Sequence, residues 1–149
     1  MDYDVKINND RISARVSAVV YNSDLTKILI FKGKDKDYYL LPGGRIMLNE
    51  DSKNAVAREI KEELGWQLTF DFLAIEEIFL KHNDINNHQY GFVYKAIYKG
   101  IIENSFYGKE DDYQVFEWIN ISELENYNIK PEEIKEIIQK GVTHIIIKE

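Results

Sequence analysis

Cysteine is absent, which excludes disulfides, thiolate metal sites and cysteine nucleophiles. Proline occurs only at positions 42 and 131, and no linker, internal repeat or low-complexity stretch divides the chain. Positive charge is in deficit: 19 Lys+Arg stand against 26 Asp+Glu, a formal net charge of -7. Phosphate backbones are gripped by basic surfaces, so extended nucleic acid is not the expected partner. A small phosphorylated substrate is still compatible, because a divalent cation can carry its charge. Long apolar runs are missing as well; Ile28–Phe31 falls far short of a membrane span, so no membrane partner is expected. The start, Met1-Asp2-Tyr3-Asp4, is acidic and lacks the layout of a signal peptide, which leads to a cytoplasmic expectation. With 44% hydrophobic and 30% charged residues in 149, the chain reads as one soluble globular domain, 1–149.

Its periodicities describe a mixed α/β domain. Ile12, Ala14, Val16, Ala18 and Val20 alternate with Ser13, Arg15, Ser17 and Tyr21, as in a half-buried strand. Asn22-Ser23-Asp24 predicts a hairpin turn into Lys27–Lys32. Tyr38–Leu41 reads as a short strand closed by a turn at Pro42-Gly43-Gly44. Asp51 to Leu64, free of Gly and Pro and stopped by Gly65, is the best helix, with Asn49 or Asp51 as its cap. Gln67–Leu80 and His88–Lys99 are expected strands around the Asn-rich stretch 82–87, and Gln114–Ile119 is another. Ser122–Glu125 predicts a short helix, and Pro131–Lys140 a second good one ended by Gly141. His144–Ile147 reads either as a late strand or as a dimer contact.

The Asp51–Leu64 helix has two faces. At about 100° per residue, and with Glu59 at zero, Glu62 falls at about -60° and Glu63 at about +40°. Val56, Ile60 and Leu64 fall between about 60° and 140°. One stripe packs while its neighbour gathers negative charge. Like-charge pairs one turn apart cost only a few tenths of a kcal/mol, so a plain solvated face would be tolerable. The residues in front of the helix suggest more: Gly43-Gly44 can bring backbone close to its start, and Glu50 and Arg58 can pair across the preceding loop.

Gly44, five residues, Glu50, seven residues and then Arg58-Glu59-Ile60-Lys61-Glu62-Glu63-Leu64-Gly65-Trp66 resembles the Nudix box, G-x5-E-x7-R-E-U-x-E-E-x-G-U, with U bulky and apolar. Every fixed position matches, and Trp66 at the last bulky position is the mildest departure. At average residue frequencies such a match arises by chance about once in a million sequences. The resemblance implies an α/β/α sandwich with a mixed curved sheet and the box as loop-helix-loop. It implies Mg²⁺ or Mn²⁺ held by Glu59 and Glu63, with Glu62 as a further ligand or as the base. The Gly43-Gly44 backbone, Gly44 first, would offer a carbonyl. Glu50 and Arg58 become a structural pair. The implied reaction is hydrolysis of the pyrophosphate link in a nucleoside diphosphate joined to another group. A non-catalytic Nudix-fold nucleotide-binding or sensor module is the alternative, which an intact box disfavours.

A further acidic residue outside the box often completes such sites; Glu110 is the choice here, with Asp111 or Asp112 in reserve. The downstream prolines of ADP-ribose hydrolases and NADH pyrophosphatases and the downstream Tyr of dinucleoside polyphosphate hydrolases are missing. Elimination therefore leans towards a (deoxy)nucleoside triphosphate or related nucleotide. Phe31, Tyr39, Phe79, Tyr113 and Phe116 are all candidates to stack on its base, with Tyr39 and Phe79 preferred, although such aromatics serve mainly the core. A monomer and a homodimer both fit the sequence.

Overall fold

The computed structural model describes residues 1–111 and 113–148. In chain order the strands are β1 (Asp4–Ile7), β2 (Asp10–Tyr21), β3 (Lys27–Lys32), β4 (Tyr39–Leu40) and β5 (Gly43–Arg45). After helix α1 (Ser52–Leu64) come β6 (Asp71–His82), β7 (Ile85–Ile97), β8 (Ser105–Tyr107) and β9 (Val115–Asn120). A 3₁₀ helix (Ile121–Asn126), helix α2 (Ile134–Lys140) and β10 (His144–Lys148) close the chain. The strands join one mixed sheet in the order β10-β6-β7-β2-β3-β9-β8. The β2–β7 and β10–β6 pairs are parallel, and the rest are antiparallel.

Both faces of the sheet are covered. Ala14, Val16, Ala18, Leu29 and Phe116 pack beneath Val56, Ile60 and Leu64 of α1. On the other face Val19, Ile28, Ile30 and Val93 meet Leu124 of the 3₁₀ helix and Ile134 and Ile137 of α2. This is the expected α/β/α sandwich. It also changes the reading of β2: its polar alternate positions lie under the α2 layer, and Ser13 is buried.

The site is opened by an irregularity in β2. One edge of that strand pairs without a break with β7, from Asp10↔Asn86 to Tyr21↔Ile97. The other edge is shared by β1 at Asp10–Ser13, β5 at Arg15–Ser17 and β3 at Tyr21 alone. β3 therefore peels away from β2, and the chain returns through Pro42 to fill the wedge, with the Ala18 amide donating to the Pro42 carbonyl at 2.9 Å.

Several expected boundaries move. Gly43 and Gly44 form a strand rather than a turn, because two residues without side chains can lie flat against β2. The Asn-rich turn shrinks to Asn83 and Asp84, whose φ values of 51° and 64° suit the tight hairpin turns that Asn and Asp tolerate. Asn86 and Asn87 instead continue β7 opposite Lys81 and Leu80. β6 begins at Asp71 rather than Gln67, and α2 begins at Ile134 rather than Pro131. His144–Lys148 is a strand, parallel to β6. Among the described residues, no helix is long and apolar enough to cross a membrane.

Candidate active site

Helix α1 is closed at both ends by its own sequence. The Asp51 side chain accepts from the Asn54 amide at 2.8 Å, and Gly65 takes the left-handed conformation at φ 75° while its amide donates to the Lys61 carbonyl. With the ends fixed, the buried Ala55, Val56, Ile60 and Leu64 set the rotation of the helix and hence the direction of its glutamates.

Those glutamates see unequal surroundings. The Glu59 side chain is 13% exposed and that of Glu62 is 41% exposed, whereas Glu63 as a residue is only 4% exposed. Glu59 lies against Gly44 of β5, so closely that a Cβ on that glycine would overlap its carboxylate. A Cβ at Gly43 would overlap the Val16 carbonyl of β2. The two glycines thus let backbone, helix carboxylate and sheet meet in one place.

Arg58 organises the outer side. Its Nε and Nη2 donate to the two Glu50 carboxylate oxygens at 2.8 and 2.9 Å, and Nη2 also donates to the Arg45 carbonyl at 3.0 Å. Nη1 donates to Glu59 at 3.0 Å and to Glu62 at 3.3 Å. Glu50 in turn accepts from the Met47 amide at 3.0 Å, which locks the loop before α1. The two-point grip of Arg58 holds the Glu50 carboxyl below its ordinary range and raises the guanidinium further.

The inner side has no such partner. Glu63 Oε2 is buried without a hydrogen bond among the described residues. Burial, reinforced by Glu59 and then Glu110, pushes the Glu63 carboxyl up to about 8. Glu59 is raised for the same first reason, with Arg58 pulling the other way. Glu110 reaches the site because the Lys109 amide donates to the Glu63 carbonyl at 2.8 Å, tying the β8–β9 loop to the end of α1. Asp111 accepts from the Tyr113 amide at 2.8 Å within that loop, and Asp112 lies outside the described residues. Among the described residues no three acidic or histidine side chains converge as a ready-made metal shell. The donor set still fits a hard cation. An orphaned buried carboxylate oxygen and a second carboxylate on a glycine backbone suit an ion that keeps several waters.

Residues 12–140 match the NUDIX domain profile. The chain belongs to the Nudix family. Over 120 residues this Nudix domain is 30% identical to the m7GpppN-mRNA hydrolase of Saccharomyces cerevisiae, a match over 80% of this chain and 10% of that protein. It thus spans about a tenth of the length of the curated relatives it matches. The structure is similar to that of the MutT protein from Bacillus halodurans, with a TM-score of 0.71 and 16% identity over 91% of this chain and 90% of that one. It is also similar to the dihydroneopterin triphosphate pyrophosphohydrolase of E. coli, with a TM-score of 0.68 and 15% identity over 85% and 92% of the two chains. These likenesses show the fold.

The two preferred aromatic candidates of this Nudix domain part company. Tyr39 lines a cavity of about 720 Å³ with Lys32, Lys34, Tyr107, Tyr113 and Glu117, on the α2 face of β3, β9 and β8. Its ring meets Tyr127 edge-on at 5.6 Å, with the Lys32 ammonium 5.4 Å above it. Phe79 lies on β6 and stacks on His88 at 4.3 Å, outside that cavity. Lys32 and Lys34 escaped the sequence reading, since lysines next to a loop carry no signal beyond solvation. Tyr107 also lines a second cavity of about 230 Å³ with Glu63 and Lys109.

Proposed function

We propose that this Nudix protein hydrolyses the pyrophosphate link of a (deoxy)nucleoside triphosphate or related nucleotide with Mg²⁺ or Mn²⁺, acting in the cytoplasm as a monomer or homodimer. The observation that carries this reading is the orphaned, buried Glu63 carboxylate beside Glu59 at the Gly44 backbone, inside an intact box. Glu59, Glu63 and the Gly44 carbonyl would hold the ion, with Glu62 as a further ligand once released from Arg58. When bound, such a cation withdraws charge from phosphoryl oxygens and favours attack by water.

The chain's own residues do the rest. Arg58 and Glu50 keep the loop closed and hold Glu59 in one orientation, so Glu59 is set before the substrate arrives. Glu110, exposed and on a loop tied to α1, serves as the base that takes a proton from water, with Glu62 as the other candidate. Tyr39 offers an aromatic face to the base, while Lys32 and Lys34 bring positive charge to the same cavity. The ring of Phe79 is taken up by His88, so the base contact rests on Tyr39. The yeast relative is named an mRNA hydrolase, but a net charge of -7 keeps extended RNA outside this proposal.

The test is release of phosphate and pyrophosphate from a panel of nucleoside triphosphates, oxidised triphosphates, nucleotide sugars, ADP-ribose and dinucleoside polyphosphates, with Mg²⁺ and with Mn²⁺. Turnover of triphosphates that chelator abolishes is the expected result. Binding of one compound without turnover of any would make the site a sensor.

A further inference from the structure

Three of the chain's guanidinium groups are committed. Arg58 is spent on Glu50, Glu59 and Glu62, while Arg11 and Arg45 both pair with Asp4. Arg15 differs from all of them. It stands in the middle of β2, half-buried on the α2 face, with Arg45 opposite on β5 and Gly91 opposite on β7. Burial and the facing Arg45 oppose its charge, Glu59, Glu63 and Glu76 favour it, and among the described residues its side chain makes no hydrogen bond and no ion pair.

The neighbours of Arg15 on the sheet are a glycine and a buried carboxylate. Gly91 removes the side chain that would occupy the neighbouring strand position, and a Cβ there would stand 2.8 Å from Glu76 Oε1. Glu76 lies opposite Gly91 on β6, is 5% exposed, and leaves Oε2 without a partner among the described residues. Glu133, just before α2, likewise has a buried carboxylate oxygen with no partner and adds its charge to the field at Glu76. A guanidinium carries five donors in a planar fork. None of the five is taken up by a group of the described residues, and the fork geometry matches phosphate oxygens. Arg15 also adjoins the box along the strand: the next residue, Val16, pairs with Gly44, the glycine against which Glu59 lies.

We propose that Arg15 is the anion anchor of the site, its guanidinium taking phosphoryl oxygens of the bound nucleotide that the metal does not hold. The inference rests on the hydrolase reading above and adds a binding residue outside the box. A role in mere charge balance is the competing account, and it makes different predictions. An anchor needs the fork and acts on the ligand. A balancing charge acts on the carboxylates and is restored by lysine.

The experiment compares the parent with Arg15→Gln and Arg15→Lys. Binding of inorganic pyrophosphate in the presence of Mg²⁺ is followed by calorimetry, and binding of Mn²⁺ alone by electron paramagnetic resonance. An anchor predicts that Arg15→Gln weakens pyrophosphate binding by about ten- to a hundredfold, while Mn²⁺ binds as well or better. Arg15→Lys recovers only part of that loss, and for the substrate found in the panel KM rises more than kcat falls. Pyrophosphate affinity within twofold of the parent in Arg15→Gln overturns the proposal, as does full recovery by lysine. If Arg15→Gln does not fold, Arg15→Lys alone decides: a severalfold loss supports the anchor and parental affinity sinks it. A parent that turns over no compound defeats the hydrolase reading instead, so the two failures are separable.

Discussion

Glu50 and Glu63 belong to the same box and lie at opposite ends of one apparatus, but their surroundings are opposite. Glu50 receives two bonds from Arg58 and one from a backbone amide, and its carboxyl is held down. Glu63 is more deeply buried, has an oxygen with no partner among the described residues, and is pushed up to about 8. The first carboxylate is satisfied by the fold. The second is left unsatisfied by the fold, as its proposed role as a cation ligand requires. The structural and metal-binding parts that the resemblance implies for these two residues thus match the surroundings each one meets.

The sharpest way to test this division is Glu63→Gln. Turnover should fall by at least roughly a hundredfold while the melting temperature holds or rises, because the proposed metal-binding carboxylate is lost together with a buried carboxyl that the fold ionises only at a cost. Activity within a fewfold of the parent would return Glu63 to a structural role. Glu110→Gln is expected to lower the rate by roughly 10²–10⁴ with unchanged stability, and a parental rate would pass the base to Glu62. Glu50→Gln should do the converse of Glu63→Gln, with a stability loss of about 2–4 kcal/mol in denaturant titration, between the values of exposed and buried pairs.

The pH dependence of that loss has a defined sign. Because the folded carboxyl of Glu50 lies below its ordinary value of 4.5, its contribution is present above 4.5 and disappears as pH falls through the folded value. Parent and variant should therefore converge in acid. Glu76 has the reverse sign. Burial, with Glu133 adding to it, lifts its carboxyl to about 7, so its ionisation costs stability as pH rises from 4.5 through 7. Glu76→Gln should gain about 1–3 kcal/mol at pH 8 and little at pH 5. The smallest effect is expected at Tyr39→Ala: KM up about tenfold with kcat within a fewfold, if its ring stacks on the base.

Much of this was legible in the order of residues. The box fixed a loop, a helix and the glutamates, and capping chemistry located both ends of α1 within one residue. Legibility failed where a residue's role depends on what covers it. Ser13, Arg15 and Ser17 alternate with apolar neighbours and read as a solvated face, but α2 and the 3₁₀ helix roof that face from the far end of the chain. No local pattern announces a roof. Glu76 was hidden inside a strand for the same reason, and Gly43-Gly44 read as a turn because glycine's lack of a side chain serves flat packing as well as bending. Glu110 was found only through the family resemblance; its nearness to Glu59 and Glu63 depends on the Lys109–Glu63 backbone bond.

The unbroken parallel pairing of β2 with β7 has a kinetic consequence. Ser13 and Gln89, which meet across it, are 76 residues apart in sequence, and the segment between them contains the entire box. Closing so long a loop costs entropy before any contact rewards it, and topologies of this kind fold slowly. Glycine pair, helix and glutamates can form locally, but they acquire their common floor only when that loop shuts. Recovery of the assembled site during refolding should therefore follow the slow formation of the β2–β7 pair and lag behind the appearance of helix.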